Sequence, residues 1–426
     1  MPRTVMDHEY ARIPKGDVPR SSFNLSCGHK TTFDAGYLVP FHWDIVYPGD
    51  VFSVNTEGYF RISSPLDFPL MDNLRATVHW YSVPIRIIWD NFRKFFGERI
   101  NPSDSIDYTV PAFTSNSAFN VQTADPIFDY MGLPWTTVDG TEISAFPFRA
   151  YNAIYNYWYR DQNLIDSVPE PTDDGPDSGG ADFTLQRRGK RHDYFTSSLP
   201  TPQKGDAVSI PLGGQAPVEA DPALIGSNVL IQNSTTKTNY LTLDVNQTLA
   251  EYAAGGGGSE NLYADLSSAT NTTINALRQA FAIQQFLERD MRGGTRFSEQ
   301  ILSHYGVQFQ DIRYAPEFLG GGSAPIIVSP IANQSGSVGN VGDLSAIGTS
   351  SLSGAGFTKA FDEPCIIMGI VCVDADLTYQ QGLDRKFSYS TRYDFYWPEF
   401  AHLGEQSVLN KEIFYQNAAA DENVFR

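Results

Sequence analysis

Cysteine is nearly absent from this chain of 426 residues: three are present, at positions 27, 365 and 372, an odd number that supplies no disulfide framework. Cys365 and Cys372 lie seven residues apart in one apolar run that reads as a strand. An odd separation turns their side chains to opposite faces, about 20 Å or more apart, so they cannot bridge each other. The pattern predicts three buried free thiols and a reducing environment.

Positive charge is also short. Thirty Lys and Arg stand against 49 Asp and Glu, a net charge of −19, so the chain cannot by itself act as counter-ion to a polyphosphate. No run approaches the ~18 apolar residues of a membrane span, and the opening MPRTVMDHEYARIPKGD lacks the apolar core of a signal peptide. The seven histidines are scattered, with no HxH pair and no HExxH, and neither GxSxG nor GxxxxGK[ST] occurs. No catalytic, cofactor or metal site is expected, and the chain reads as a non-enzyme. Any glycosidase would need two carboxylates set across a cleft, and no pair stands out.

What is plentiful suits strands and turns. Aromatics make up 13% of the chain and charged residues only 19%, with 35 Gly and 26 Pro. The length exceeds the usual single core, and one β-sandwich with long insertions accommodates it.

Residues 1–30 are polar, broken by Pro14, Pro19 and Gly28, and read as an arm. Tyr37–Tyr47 and Val51–Ile62 read as strands about a Pro48-Gly49-Asp50 turn, and Arg75–Ile88 as a third, bent or at an edge at Pro84. Trp89–Phe96 suggests a helical turn or two, and Asn101–Pro147 a loop giving surface relief or contacts between subunits. Phe148–Asn163 puts six aromatics in helical context; core and interface packing is favoured over base stacking. Ser167–Asp182 is an acidic surface loop, beside a basic cluster of Arg187, Arg188, Lys190 and Arg191. That cluster is a candidate contact for DNA or a neighbouring subunit, set against the plainer reading of a solvated turn.

Asp206–Asn261 is small, polar and tetraglycine-bearing, and looks inserted. From Thr272 an apolar stripe of Ile274, Leu277 and Phe281, flanked by Ala276, Ala280, Ile283 and Leu287, predicts a packing helix stopped by Gly293-Gly294. Ser298 is expected to cap a second helix that ends at Gly306. Ser323–Gly356, rich in Gly, Ser and Asn, reads as an exposed loop, and PCIIMGIVCV from Pro364 as a central strand covered on both faces.

Five stretches, in order, closely resemble one family: HKTTFDAGYLVPFHWDIVYPGDVF, AYNAIYNYWYRDQN, ERDMRGGTRFSEQILSHYGV, EFLGGGSAPIIVSP and DLTYQQGLDRKFSYSTRYDFYWPEFAHLGEQSVLNKEI. They resemble the major capsid protein of the Microviridae, small single-stranded DNA bacteriophages, in the gokushovirus branch. The resemblance implies a mainly β fold, an eight-stranded antiparallel jelly roll with long loop insertions and a few helices, over residues 31–426. It implies a homo-oligomer, about 60 copies in a T=1 icosahedral shell around a circular single-stranded DNA genome. The implied partners are an internal scaffolding protein, a small basic DNA-binding protein, a DNA pilot protein and a host surface receptor, with no membrane. The implied location is the virion, assembled in bacterial cytoplasm.

By the same resemblance 206–258 is a protrusion at the threefold axes, with Asn233, Lys237, Tyr240 and Asn246 as candidate receptor-facing residues. Relatives continue for about a hundred further residues, so a terminal strand of the barrel is expected beyond Arg426. The alternative reading is a carbohydrate-binding jelly-roll module for a host surface glycan.

Overall fold

The computed structural model describes residues 19–62, 66, 69–114, 121–136, 142–209, 273–309, 314–334, 340–401 and 406–425, with short backbone segments between 218 and 264. The chain divides into two compact units. The first comprises Met1–Arg160, Ser167–Lys190 and Ile312–Leu377; the second comprises Asp161–Asp166, Arg191–Asp311 and Thr378–Arg426.

In the first unit, numbering strands along the whole chain, β1 is Val39–Val46, β2 Val51–Arg61, β3 Leu74–Pro84, β4 Ala112–Thr114 and β5 Glu142–Ser144. After the strands of the second unit come β11 (Glu317–Pro325), β12 (Ile327–Ala332), β13 (Leu344–Ala360) and β14 (Cys365–Ala375). One antiparallel sheet has the order β1-β14-β3-β11 and another the order β12-β13-β2. Val39, Val78, Trp80, Leu352, Phe357 and Ile367 fill the space between them. The Trp80 indole N–H crosses that space to donate to Thr56 Oγ1 at 3.0 Å. The fold is thus mainly β, an antiparallel sandwich, with four strands in one sheet and three in the other.

The apolar run from Pro364 behaves as its composition requires. Along β14, Cys365, Ile367 and Val371 enter the sandwich core, while Ile366, Met368, Ile370 and Cys372 enter a second core on the outer face of the same sheet. The strand is bonded on one edge to β1 and on the other to β3. The two cysteines point to opposite faces, as their spacing predicted. Cys27 differs from expectation: it is exposed, because the segment 19–30 forms neither helix nor strand and lies in water.

The second core is roofed by short helices: α1 (Ile85–Ile88), α2 (Phe92–Phe95), α3 (Ile127–Tyr130) and α4 (Phe146–Ile154), the last running into a π-helical turn, Tyr155–Tyr159. A further turn, α5, spans Gly179–Asp182. Phe113, Phe128, Phe148 and Phe183 are all buried, with the Phe128 and Phe148 rings 5.1 Å apart and Phe148 and Phe183 5.3 Å apart. Each such burial contributes roughly 1.5–3 kcal/mol. The stretch 101–147, expected as surface relief, therefore supplies core as well: β4 pairs with β5 and carries Phe113 inward.

Two other expectations need correction. The third strand stops at Pro84 instead of running to Ile88, because a proline cannot continue the ladder; the chain turns there into α1. Ser323–Gly356, read as a loop, is largely strand, with 323–325 in β11, then β12 and most of β13. Gly321, just before this stretch, and Gly356, at its end, mark close approach between backbones. A Cβ on Gly321 would lie 2.3 Å from the Val78 carbonyl oxygen, and one on Gly356 1.9 Å from that of Val54.

In the second unit, β6 (Val218–Ala220) pairs with β10 (Leu262–Ala264), and β7 (Val229–Gln232), β8 (Tyr240–Leu243) and β9 (Ala250–Ala253) form an antiparallel meander. Four of these strands, β6 to β9, fall inside the inserted stretch 206–258. Helix α6 (Ile274–Arg292) opens on Thr273, whose hydroxyl accepts from the Ala276 N–H at 3.1 Å. After Gly293-Gly294, α7 (Phe297–Tyr305) closes on Gly306 at φ +68°. Its cap residue is Arg296, two residues earlier than the serine expected, and Glu299 closes the first turn by accepting from the Arg296 N–H at 3.0 Å. The last α-helix among the described residues, α8, is Asn410–Ile413.

Candidate functional site

Among the described residues no group of three or more His, Cys, Asp and Glu is placed to hold a metal ion, and no helix is long and apolar enough to cross a membrane. A cavity of about 160 Å³ in the first unit is lined by Trp43, Met131, Leu133, Ile143, Ser144, Pro147 and Phe148, an almost wholly apolar wall. What remains to be explained is surface.

The basic cluster resolves into residues with different tasks. The Arg187 side chain donates to the Tyr37 hydroxyl at 2.9 Å and lies 4.9 Å from the centre of that ring. Arg188 sits 3.7 Å from Asp374 and 6.0 Å from the Tyr159 ring centre; burial pushes the neighbouring Cys372 thiol up to about 11, with the Arg188 charge acting the other way. Lys190 is exposed. Arg191 begins the second unit, where its carbonyl accepts from the Thr196 hydroxyl at 2.9 Å.

The aromatic row is mostly committed inward. Tyr151 and Tyr155 are buried, and Tyr81 donates to the Tyr159 hydroxyl at 2.8 Å, with His79 Nδ1 also 2.8 Å from that oxygen. Burial pushes the Tyr81 phenol up to about 12 and the Tyr159 phenol well above its ordinary value, so both stay neutral. Trp158 keeps an open face while its N–H donates to the Pro316 carbonyl at 2.8 Å. These are the contacts of packing, the reading the composition favoured.

The acidic loop is less of a surface feature than its residues suggest. Arg149, on α4, directs all its nitrogens at it: Nε and Nη2 donate to Asp177 at 2.7 and 2.5 Å, and Nη1 donates to the carbonyls of Asp173 at 2.9 Å and Ile88 at 3.0 Å. Asp174, next in the loop, accepts from the Trp89 indole at 2.6 Å.

Of the candidate receptor-facing residues, Asn233, Lys237 and Asn246 lie outside the described residues. Tyr240 opens β8 by its backbone, and its side chain also lies outside them.

The second unit exposes large apolar groups in two places. On α6 the stripe expected to pack leaves Ile274, Leu277, Phe281 and Ile283 exposed, with Phe286 open beside them. Farther on, Phe387, Tyr393, Phe395, Tyr396, Trp397 and Phe400 are exposed in a segment that has no long helix or strand. The sequence signal for this second surface is the density of rings in TRYDFYWPEF without either a helical or an alternating period. Such groupings on one chain are the mark of surfaces that meet other molecules.

Comparison with known proteins gives these surfaces a context. A family model described as capsid protein (F protein) matches residues 11–426. The chain is 41% identical over 436 residues to capsid protein VP1 of Bdellovibrio phage phiMH2K, covering 98% of this chain and 81% of that protein. It is 36% identical to capsid protein VP1 of Chlamydia phage 1, over 97% of this chain and 81% of the relative. The VP1 capsid protein of Spiroplasma virus 4 is 33% identical, with 98% and 81% covered. With a fold of packed antiparallel sheets and similarity along nearly its whole length, the chain belongs to the phage capsid protein (F protein) family, as a gokushovirus-like major capsid protein of the virion, a structural role.

Proposed function

We propose that about 60 copies of this chain close into a T=1 icosahedral shell around a circular single-stranded DNA genome, each copy contributing an eight-stranded jelly roll with long insertions. The observation that carries this reading is the large apolar surface that one chain leaves in water, with Phe281 and Tyr393 each about 60% exposed, Tyr396 80% and Phe387 81%. Burial of such groups between copies is the energy source a shell requires.

The net charge of −19 supports a division of labour. The genome needs cations this chain does not have in surplus, so a small basic DNA-binding protein accompanies it, beside an internal scaffolding protein and a DNA pilot protein. Arg187, Arg188, Lys190 and Arg191 then serve as contacts to DNA or to a neighbouring copy, Arg187 and Lys190 being the exposed ones. The insertion 206–258 forms a surface protrusion used in host attachment, with Asn233, Lys237, Tyr240 and Asn246 facing the receptor. The arm 1–30 lies along the inside of the shell or reaches a neighbouring copy.

The test is to express the full gene product with its scaffolding partner and to examine the product by sedimentation and electron microscopy. Uniform icosahedral particles of T=1 size are expected. Particles of another triangulation number, or filaments, would overturn this reading.

A further inference from the structure

Among the described residues, a run of exposed aromatic rings lies between Phe387 and Phe400. Phe387 is 81% and Tyr396 80% exposed, and Tyr393, Phe395, Trp397 and Phe400 are open beside them. Left in water, apolar surface costs on the order of 25 cal/mol per Å², so a group this size favours a partner.

The segment is ordered by its own bonds. Asp394 accepts from the Ser390 N–H at 2.9 Å, from the Thr391 N–H at 2.6 Å and from the Thr391 hydroxyl at 3.0 Å. The Trp397 indole donates to the Arg392 carbonyl at 2.8 Å. The rings of Tyr389 and Phe395 lie 5.2 Å apart, and those of Tyr393 and Phe400 6.1 Å apart. The side chains are thus placed before any partner arrives, which lowers the entropy lost on docking.

Charge decides which kind of partner fits. From Thr378 to Phe425 there are four Lys and Arg against seven Asp and Glu. Of the four cations, Arg385 lies 3.1 Å from Glu412, Lys386 3.6 Å from Asp384, Lys411 2.8 Å from Glu422, and Arg392 rests 4.9 Å from the Tyr393 ring centre. Stacking of single-stranded DNA on aromatics goes with a basic groove that follows the phosphates, and this segment has no surplus charge to make one. An aromatic centre with a mixed polar rim is instead the make-up of a protein interface. For a chain that forms a shell, the protein partner this reading itself supplies is another copy.

We propose that the loop Tyr389–Phe400, with Phe387 beside it, is a surface by which one copy of the chain seats on the next. The inference rests on the shell-forming reading and names a contact which that reading leaves open.

The test compares wild type with Tyr396→Ser and with Phe387→Ser/Tyr396→Ser, each expressed as the full gene product with the phage's other structural genes. Both side chains are exposed, so thermal unfolding of the unassembled protein should be unchanged. Sedimentation should show the yield of shells falling about tenfold for the single variant and further for the double. Variant shells at wild-type yield would overturn the proposal, as would normal shells that have lost only their packaged DNA, the outcome expected of a nucleic-acid platform. If neither wild type nor variants form any closed particle, the shell-forming reading fails and this contact fails with it.

Discussion

Arg149 and Asp177 are each about 1% exposed at the side chain, and their nearest nitrogen and oxygen are 2.5 Å apart. The pair joins α4 to the acidic loop, so a segment rich in Pro, Gly and Asp is held from beneath by one buried cation. Removing one member leaves the other charge buried without its partner, which typically costs about 3–5 kcal/mol. Arg149→Met is expected to lose that much in denaturant unfolding and to make the loop around Asp173–Asp177 sensitive to protease. Arg149→Lys should not restore it, since an ammonium lacks the planar fork that meets Asp177 through two nitrogens. A loss below about 1 kcal/mol for Arg149→Met would refute this account of the loop.

Gly356 lies where β13 passes β2, and an added methyl would meet the Val54 carbonyl oxygen at 1.9 Å. Because that neighbour is backbone, Gly356→Ala forces the two strands apart. The expected cost is about 1–3 kcal/mol, read as a lower unfolding midpoint. Gly28→Ala, where nothing lies within 4 Å of an added Cβ, is the control and should leave the midpoint unchanged. Equal behaviour of the two variants would show that close approach is not why glycine occupies position 356.

The three thiols should separate by reactivity. Burial pushes Cys365 up to about 12 and Cys372 up to about 11, whereas Cys27 is exposed with its sulfur 3.6 Å from His42 Nδ1. A thiol reagent at mildly alkaline pH should modify Cys27 quickly in the unassembled native chain and reach the other two only on unfolding. Rapid native modification of Cys365 or Cys372 would contradict their placement in the two cores.

Burial, and next in order of effect the Asp44 carboxylate acting the other way, leaves His42 below the ordinary histidine value of 6.5; His29 adds to the lowering. The folded state therefore resists the proton that the unfolded chain accepts first. The contribution of neutral His42 is fully present above pH 6.5 and declines as pH falls from there through its lower folded value. His42→Gln should shrink the difference in unfolding free energy between about pH 7.5 and about pH 5.5. An unchanged difference would place that acid sensitivity elsewhere.

Deleting 206–258 tests the protrusion. Shells should still form while attachment to the host cell is lost, as seen by electron microscopy and by binding of particles to cells. Loss of assembly with attachment retained would reverse the assignment.

Much of the sandwich was legible before the structure. PCIIMGIVCV reads as a strand buried on both faces because an uninterrupted apolar run has no polar side to offer water, and it proved to be the bonded interior strand β14. The Pro48-Gly49-Asp50 turn and the glycine stops of α6 and α7 were equally plain. The stretch from Ser323 to Gly356 was misread, since glycine and serine argue for a loop unless one knows that another backbone passes within contact distance. The acidic loop was read as surface because no local pattern reveals that Arg149, distant in the chain, is buried under it. The apolar stripe of α6 was legible as a stripe, yet its exposure was not, because periodicity reports which face is apolar and not what covers it.

By itself the sequence determined the class of fold, the absence of a disulfide framework, the shortage of cations and the family of the protein. Those follow from side-chain chemistry and from spacing along the chain, which are local quantities. Tertiary structure alone decided which rings face a core and which face water, that Arg187 spends its charge on Tyr37 and Arg149 on Asp177, and that Gly321 and Gly356 serve contact between strands. Those depend on which distant segments meet, and a long-range pairing leaves no mark on either partner until both are brought together.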